Sequence, residues 1–421
     1  MDKRTFIKSF AASTIAAPNI INQLDTWNLL FSESAPEEIA RNEEYWAVVR
    51  SGYRLKPEYI NLENGYYCFI PQETLEKYIN HARYVNYQGS YYMRTVRVDN
   101  KKKAAARLAK FIGAHEDEVV ITRNTTESLD TIIGGYHWKK DDEAVFAQQD
   151  YGAMRNMFKL QERRHGIKTN VVSVPNHPKS DSEIVELYKS AITPKTRLLM
   201  VCHMINITGQ ILPIRKICDM AHKHGVDVMV DGAHAVGHID FDIKDLDCDF
   251  YGSSLHKWLS VPLGSGLLYV KQGLASKVWP MFATWNSDDD DIKKLNHTGT
   301  HPSHTDLAVI DAIDYLNRIG IDRKEARLRY LQRYWSEKVR NIKGINVNTP
   351  VDQWRSCGIA NVGLDSFAPS EMAQKLMEDY DIWTVGINEP PVVGCRITPN
   401  IYTTTEELDV FVNALKEMAA M

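Results

Sequence analysis

The chain has no Cys-x-x-Cys pair, no internal repeat, no long low-complexity tract and no surplus of positive charge. Each absence removes a class of function. Its six cysteines, Cys68, Cys202, Cys218, Cys248, Cys357 and Cys395, are scattered, which supports neither zinc ligation nor a disulfide framework and leaves buried free thiols as the plain reading. A formal net charge of −4 with interspersed signs gives no broad attraction to nucleic acid, and the short basic run Lys101-Lys102-Lys103 opens a helical pattern as a solvated face. The aspartates Asp288 to Asp291 lack the glycine and glutamate of a calcium loop at the required spacing and read as exposed loop, so no metal site is expected. What is present suffices to fold: 44% apolar and 10% aromatic residues over 421 positions can bury one large core and a smaller satellite.

Near the N-terminus, Lys3-Arg4-Thr5-Phe6-Ile7-Lys8 precedes a short apolar stretch of small residues, Phe10 to Ala17. This resembles a twin-arginine export signal with Lys3 in place of the first arginine. It implies a periplasmic destination; an ordinary N-terminus on a cytoplasmic protein is the alternative. The stretch is too short for a stable membrane span. Residues 1–30 are read as this leader, 31–60 as a polar and aromatic N-terminal segment, 61–306 as a large domain, and 307–421 as a connecting helix with a small C-terminal domain.

Strand and helix patterns alternate through the large domain. Tyr59 to Gly65 reads as a short strand ending in a turn, and helical patterns at 100–113 and 126–134 flank the strand Glu118 to Thr122. Short apolar runs follow at 143–147, 169–174 and 198–202. A helical stretch from Leu212 to His224, stopped by Gly225, joins Leu198–Cys202 to Val226–Val230, the crossover of a parallel sheet. Gly266 to Val270 adds a strand, and an amphipathic pattern from Leu307 to Gly320 leads out of the domain.

The chemistry concentrates in two motifs, Asp231-Gly-Ala-His234 at the end of a strand and Ser254-Leu-His256-Lys257 further on. A lysine can hold an aldehyde as a Schiff base, and a carboxylate beside a pyridine nitrogen keeps that ring protonated and electron-withdrawing. Together they point to a pyridoxal phosphate pocket. Asp231 takes the ring nitrogen and Lys257 the aldehyde; a helix cap and an exposed lysine are the bland alternatives. His234 is placed to bond the cofactor's phenolic oxygen, or is simply a turn histidine. Ser254 and His256 become phosphate contacts. Thr122-Arg-Asn-Thr-Thr-Glu-Ser128 passes from strand into helix, so Thr125 and Thr126 offer hydroxyls and backbone donors to a phosphate, or merely cap the helix.

With these residues in view, the chain resembles the class V aminotransferase family of fold type I pyridoxal phosphate enzymes, nearest to isopenicillin N epimerase-like members. The matching stretches are Asn124 to Ser128, Cys202 to Gly209, Asp231 to His234, His256-Lys257, Gly299-Thr300 and Arg396 to Asp409. The resemblance implies an α/β fold, with a mainly parallel seven-stranded sheet between helices and a smaller α+β C-terminal domain. It also implies that Asn206 faces the cofactor or the substrate carboxylate, that Arg396 binds that carboxylate, and that Thr300 reaches the phosphate of a neighbouring subunit in a homodimer. Tyr151 falls where the family places a ring over the cofactor. A surface ion pair is the alternative for Arg396.

The resemblance further implies an amino-acid substrate, a Lys257 Schiff base and a Cα carbanion, with Tyr151 a candidate second acid for epimerisation. Aminotransferase and carbon–sulfur lyase activities share the scaffold and remain alternatives. Cysteine desulfurases of the family carry a nucleophilic cysteine on a loop before the arginine, whereas Asp381 to Glu389 here holds none, which excludes persulfide chemistry from the expectation. A catalytically silent scaffold would have lost the lysine, aspartate or arginine, and all three are present. Tyr91, Tyr92 and Arg94 are candidates for reading the substrate side chain or for ordinary packing.

Overall fold

A computed structural model describes residues 20–284 and 289–421. The export motif and Asp288 therefore lie outside the described residues. Along the chain, the first strand, β1 (Ile60–Asn61), is followed by β2 (Val119–Thr122), β3 (Glu143–Ala147), β4 (Lys168–Val172), β5 (Thr196–Cys202), β6 (Asp227–Asp231), β7 (Phe250–Ser254) and β8 (Gly266–Val270). These last seven form one sheet in the order β2-β8-β7-β6-β5-β3-β4. Pairing is parallel from β7 across to β4, and β8 lies antiparallel between β7 and β2. The fold is the α/β architecture expected from the alternating patterns.

The strands are short apolar runs because both faces of the sheet are covered. Val119, Ile121, Val145, Leu199, Val201, Val228, Val230, Tyr251 and Leu267 enter one buried cluster. Their alternate neighbours Val120, Phe146, Leu198, Met200, Met229, Phe250 and Leu268 enter another. That is the period-two alternation of a strand with an apolar layer on each side. Among the helices packed on the sheet domain are Thr125–Gly135, Gly152–His165 and Ile214–His222.

The C-terminal domain carries β9 (Ile345–Val347), β10 (Ala360–Leu364), β11 (Ile382–Trp383), β12 (Val385–Glu389) and β13 (Val392–Ile397). Four of them form an antiparallel sheet in the order β12-β13-β10-β9. The amphipathic helix Ser303–Ile319 belongs to the large-domain core through Ala308, Val309, Ala312 and Ile313, and Ile321–Val339 then enters the small domain. One pairing crosses nearly the whole chain: β1 lies parallel to β11, and Leu62 packs in the small-domain core.

Among the helices that local patterning missed are Gln72–Gln88 and Gly152–His165. Few of their residues are buried, so their apolar period is faint, and Tyr87 on the first is almost fully exposed. The stretch 20–30, grouped with the leader on sequence grounds, is a helix tied to the body. Tyr45 Oη donates to Asn28 Oδ1 at 2.8 Å, and Arg318 Nε lies 3.1 Å from Asp25 Oδ1. Tyr92 is buried in a short π-helical turn, while Tyr91 and Arg94 are exposed.

Candidate active site

Because β2 and β7 both run antiparallel to β8, they share a direction, and the carboxyl ends of β2, β3, β5, β6 and β7 meet at one edge of the sheet. Every large-domain residue singled out above except Thr300 and the group Tyr91, Tyr92 and Arg94 follows or closes one of these strands. Thr125 and Thr126 come after β2, Tyr151 after β3, Asn206 after β5, Asp231 ends β6 with His234 beyond it, and Ser254 ends β7 ahead of His256 and Lys257. Since β4 and β5 lie on opposite sides of β3, the winding reverses there, which opens a crevice at that edge.

Asp231 is only 4% exposed, and its Oδ1 accepts the N–H of Ala233 at 3.0 Å. Turns, not a helix, occupy 233–238, so the carboxylate caps no helix. Burial raises its pKa, against which the Ala233 N–H and the charge of Lys257 act. Such a carboxylate is completed by a cation, which a pyridinium nitrogen supplies. Lys257 Nζ lies 2.9 Å from His234 Nε2. Burial pushes the amine down to about 8, with Asp231 opposing the shift and Arg396 adding to it. A substantial share of neutral amine near pH 8 is what attack on an aldehyde requires.

The polar groups at the ends of β2 and β7 are already knitted together. Thr125 N–H donates to Ser254 Oγ at 2.9 Å, and the two hydroxyls are 2.7 Å apart. Asn124 performs the capping, its Oδ1 accepting the Glu127 N–H at 2.9 Å, which frees the hydroxyls of Thr125 and Thr126 from that duty. His256 is held neutral, at about 4, by burial and by the charge of Lys257. Hydroxyls, an imidazole and a helix N-terminus form a donor set suited to a phosphate dianion, with the lysine and carboxylate beyond it. These residues fit pyridoxal phosphate.

Arg396 in β13 is 8% exposed. Its Nε is 3.1 Å from Glu63 Oε2, its Nη2 meets Glu63 Oε1, and its Nη1 is 3.4 Å from the carbonyl oxygen of Asn206. The ion-pair alternative for Arg396 thus has a real partner, but the pair is buried. Glu63 was not singled out from sequence, and nothing local could have revealed it, since 333 positions separate the partners. Gly65 makes room for the pair: a Cβ there would stand 2.7 Å from Arg396 Cζ.

Two further residues escaped sequence reasoning. Asp150 is buried, with Oδ2 accepting the Ala147 N–H at 2.7 Å and its carboxyl pushed up to about 7 by burial. It anchors the turn before Tyr151, which stands 49% exposed at the start of the helix Gly152–His165. The other is Trp258, whose indole N–H reaches His234 Nδ1. Thr300 is exposed before the helix Ser303–Ile319, and no hydrogen bond ties it to this pocket among the described residues.

Over residues 70–387 the sequence matches the model of the aminotransferase class-V family. The chain belongs to this family. An isopenicillin N epimerase from Streptomyces clavuligerus is 26% identical over 88% of the chain and 97% of that protein. A cysteine desulfurase from Haloferax volcanii is 26% identical over 85% of the chain and 88% of its own length. The apo structure of a cysteine desulfurase from Thermococcus onnurineus superposes with a TM-score of 0.77 at 21% identity, covering 88% of this chain and 97% of that one. This class V protein is an enzyme of the fold type I architecture, with pyridoxal phosphate as its cofactor.

Proposed function

We propose that this class V enzyme acts on an amino acid or an amino-acid-containing substrate, moving the proton on Cα in the manner of the isopenicillin N epimerases it resembles. When bound, the cofactor supplies an electron-withdrawing ring that labilises substituents at Cα. The chain supplies orientation and proton movement. Arg396 and Asn206 offer a fork of donors and a neighbouring amide to the α-carboxylate, and Lys257 Nζ takes the proton. Tyr151, at the same sheet edge, is the candidate to return one from the opposite face. The observation that carries this reading is the placement of Lys257, whose Nζ stands 2.9 Å from His234 Nε2 at the sheet edge where Asp231 ends β6.

Incubation with candidate amino acids in deuterated water tests it. Exchange at Cα with inversion and no keto acid supports epimerisation. Keto acid formation, with conversion of the cofactor to its amine form, points to transamination, and loss of a thiol from the substrate to lyase chemistry.

The desulfurase relatives raise persulfide transfer as a second reading. The stretch corresponding to the cysteine-bearing loop contributes β11 and β12 and holds no cysteine. Cys68, whose charge would be felt at Lys257, is buried, bonded to Asn64 and Asn400, and pushed up to about 12. A thiol in that state is a poor nucleophile. All six cysteines are buried and free, which favours the amino-acid reading.

Two expectations complete the proposal. Thr300 contributes to the neighbouring active site of a homodimer, to be tested by light scattering and by mixing Thr300→Ala with Lys257→Ala protein. Export of the folded protein through the Lys3-Arg4 motif is to be tested by cell fractionation with and without the leader.

A further inference from the structure

The direction of the 2.9 Å contact between Lys257 Nζ and His234 Nε2 depends on which imidazole nitrogen carries the proton. The other nitrogen decides it. Trp258 Nε1, which can only donate, lies 3.2 Å from His234 Nδ1. Nδ1 is therefore an acceptor, and a neutral imidazole then bears its proton on Nε2. Lys257 Nζ receives that N–H, a role open only to an uncharged amine. Burial, together with the nearby charge of Arg396, keeps His234 neutral by holding its pKa well below the usual histidine value.

Trp258 is itself held at its ring and at its backbone. Its ring stacks on His238 with centroids 3.7 Å apart, and Lys324 Nζ donates to its carbonyl oxygen at 2.5 Å. His238 is oriented in turn. The Gly358 N–H donates to its Nε2 at 2.8 Å, so its Nδ1 carries the proton and donates to the His234 carbonyl at 2.8 Å. A Cβ at Gly358 would approach His238 Nε2 to 3.0 Å and Trp258 Cη2 to 3.1 Å, so the stack is built around that glycine.

We propose that Trp258 is a positioning residue whose indole N–H holds His234 in the tautomer that donates from Nε2, keeping Lys257 Nζ an unprotonated acceptor ready to attack an aldehyde. The inference rests on Lys257 being the lysine that bears the cofactor. Other charged and titratable groups act on the pair from neighbouring elements. They are Asp231 from β6, Arg396 from β13, Glu63 and Cys68 from the segment after β1, and His238 and His256 from the turns around it. None of them discriminates between the two His234 tautomers as a donor at Nδ1 does.

The test uses full-length protein stripped of cofactor and reloaded with pyridoxal phosphate, the reloading rate being followed against pH. Wild-type protein is expected to show a midpoint near 8. Trp258→Phe keeps an aromatic ring against His238 but removes the donor, so the proton can move to Nδ1 and Nε2 can accept from the ammonium. The midpoint then rises by about one unit, and reloading below it slows roughly tenfold. In a His234→Gln background, which has no tautomer to set, Trp258→Phe adds no further shift. Nitrogen-15 spectra of the wild-type protein should show His234 protonated at Nε2. An unprotonated Nε2, an unmoved midpoint in Trp258→Phe, or an equal shift in both backgrounds overturns the inference while leaving the cofactor assignment intact. Wild-type protein that takes up no pyridoxal phosphate defeats that assignment and this inference together.

Discussion

The pocket has two halves of different construction. The half proposed to hold the cofactor is assembled from the ends of adjacent strands in one sheet, with Asp231, Ser254 and Lys257 on consecutive strands or the turn after them and Thr125 bonded to Ser254. The half proposed to take the substrate carboxylate joins Glu63, just after β1, to Arg396 in β13 of the small domain. One is a product of sheet order. The other exists only once the two ends of the chain have met through β1 and β11. The difference predicts that the halves can be disabled separately: substitutions in the first should remove the cofactor, and substitutions in the second should spare it while altering carboxylate recognition.

Lys257→Ala is the largest break. It should abolish the visible absorbance of covalently held cofactor completely, with the fold retained by circular dichroism, because among the described residues Lys257 is the amine that contacts His234 and whose charge acts on Asp231. Retained absorbance would move the attachment point elsewhere and dissolve the cofactor half as described.

Arg396→Ala addresses the other half. Aminooxyacetate and methoxyamine both capture the cofactor's carbonyl, but only the first carries a carboxylate, so the ratio of their rates reports the clamp alone. Removing the guanidinium should cut that ratio by roughly a hundredfold, about 3 kcal/mol, while the cofactor spectrum persists. The variant should also melt earlier, since Glu63 is left buried without its partner. An unchanged ratio would mean that Arg396 is purely a structural half of the pair.

Gly65→Ala probes the same clamp from the side, with a smaller effect. The added Cβ, 2.7 Å from Arg396 Cζ, forces the guanidinium aside without removing its charge. A loss of about tenfold in the same ratio, with cofactor uptake unaffected, is the expected outcome. Equal damage to cofactor uptake would show that the halves are mechanically one.

The same division explains what could be read before the structure. Asp231, Ser254 and Lys257 were legible because strand ends announce themselves locally: β6 is a Val- and Met-rich run closed by an acid, and Gly266 to Val270 stands as an isolated strand. Parallel strands buried on both faces lose polar alternation but keep their apolar density, so the sheet survived translation into sequence pattern. Glu63 left no trace, because an acid in a polar turn looks the same whether or not a distant arginine reaches it. Trp258 was hidden for a related reason. A tryptophan beside the active lysine reads as core, and only the position of His234 Nδ1 shows that its N–H is used. Arg396 was found through family resemblance, which carries tertiary information that local pattern does not.

Glu63→Gln gives the smallest and most discriminating effect, because removing its charge should move both halves at once. The carboxylate of Glu63 already engages Nε and Nη2 of Arg396, so an incoming carboxylate must share or displace it. Glutamine keeps the shape and one acceptor but surrenders the charge, which should raise the aminooxyacetate-to-methoxyamine ratio by roughly threefold, under 1 kcal/mol. The charge of Glu63 also reaches Lys257, where it works to raise the pKa of the amine. Removing it should therefore lower the reloading midpoint below that of the wild-type protein, the opposite direction to Trp258→Phe. If the carboxylate ratio rises and the midpoint falls together, the two halves are built separately but share one electrostatic field. A rise in the ratio with a fixed midpoint would confine Glu63 to the carboxylate side and make the separation complete.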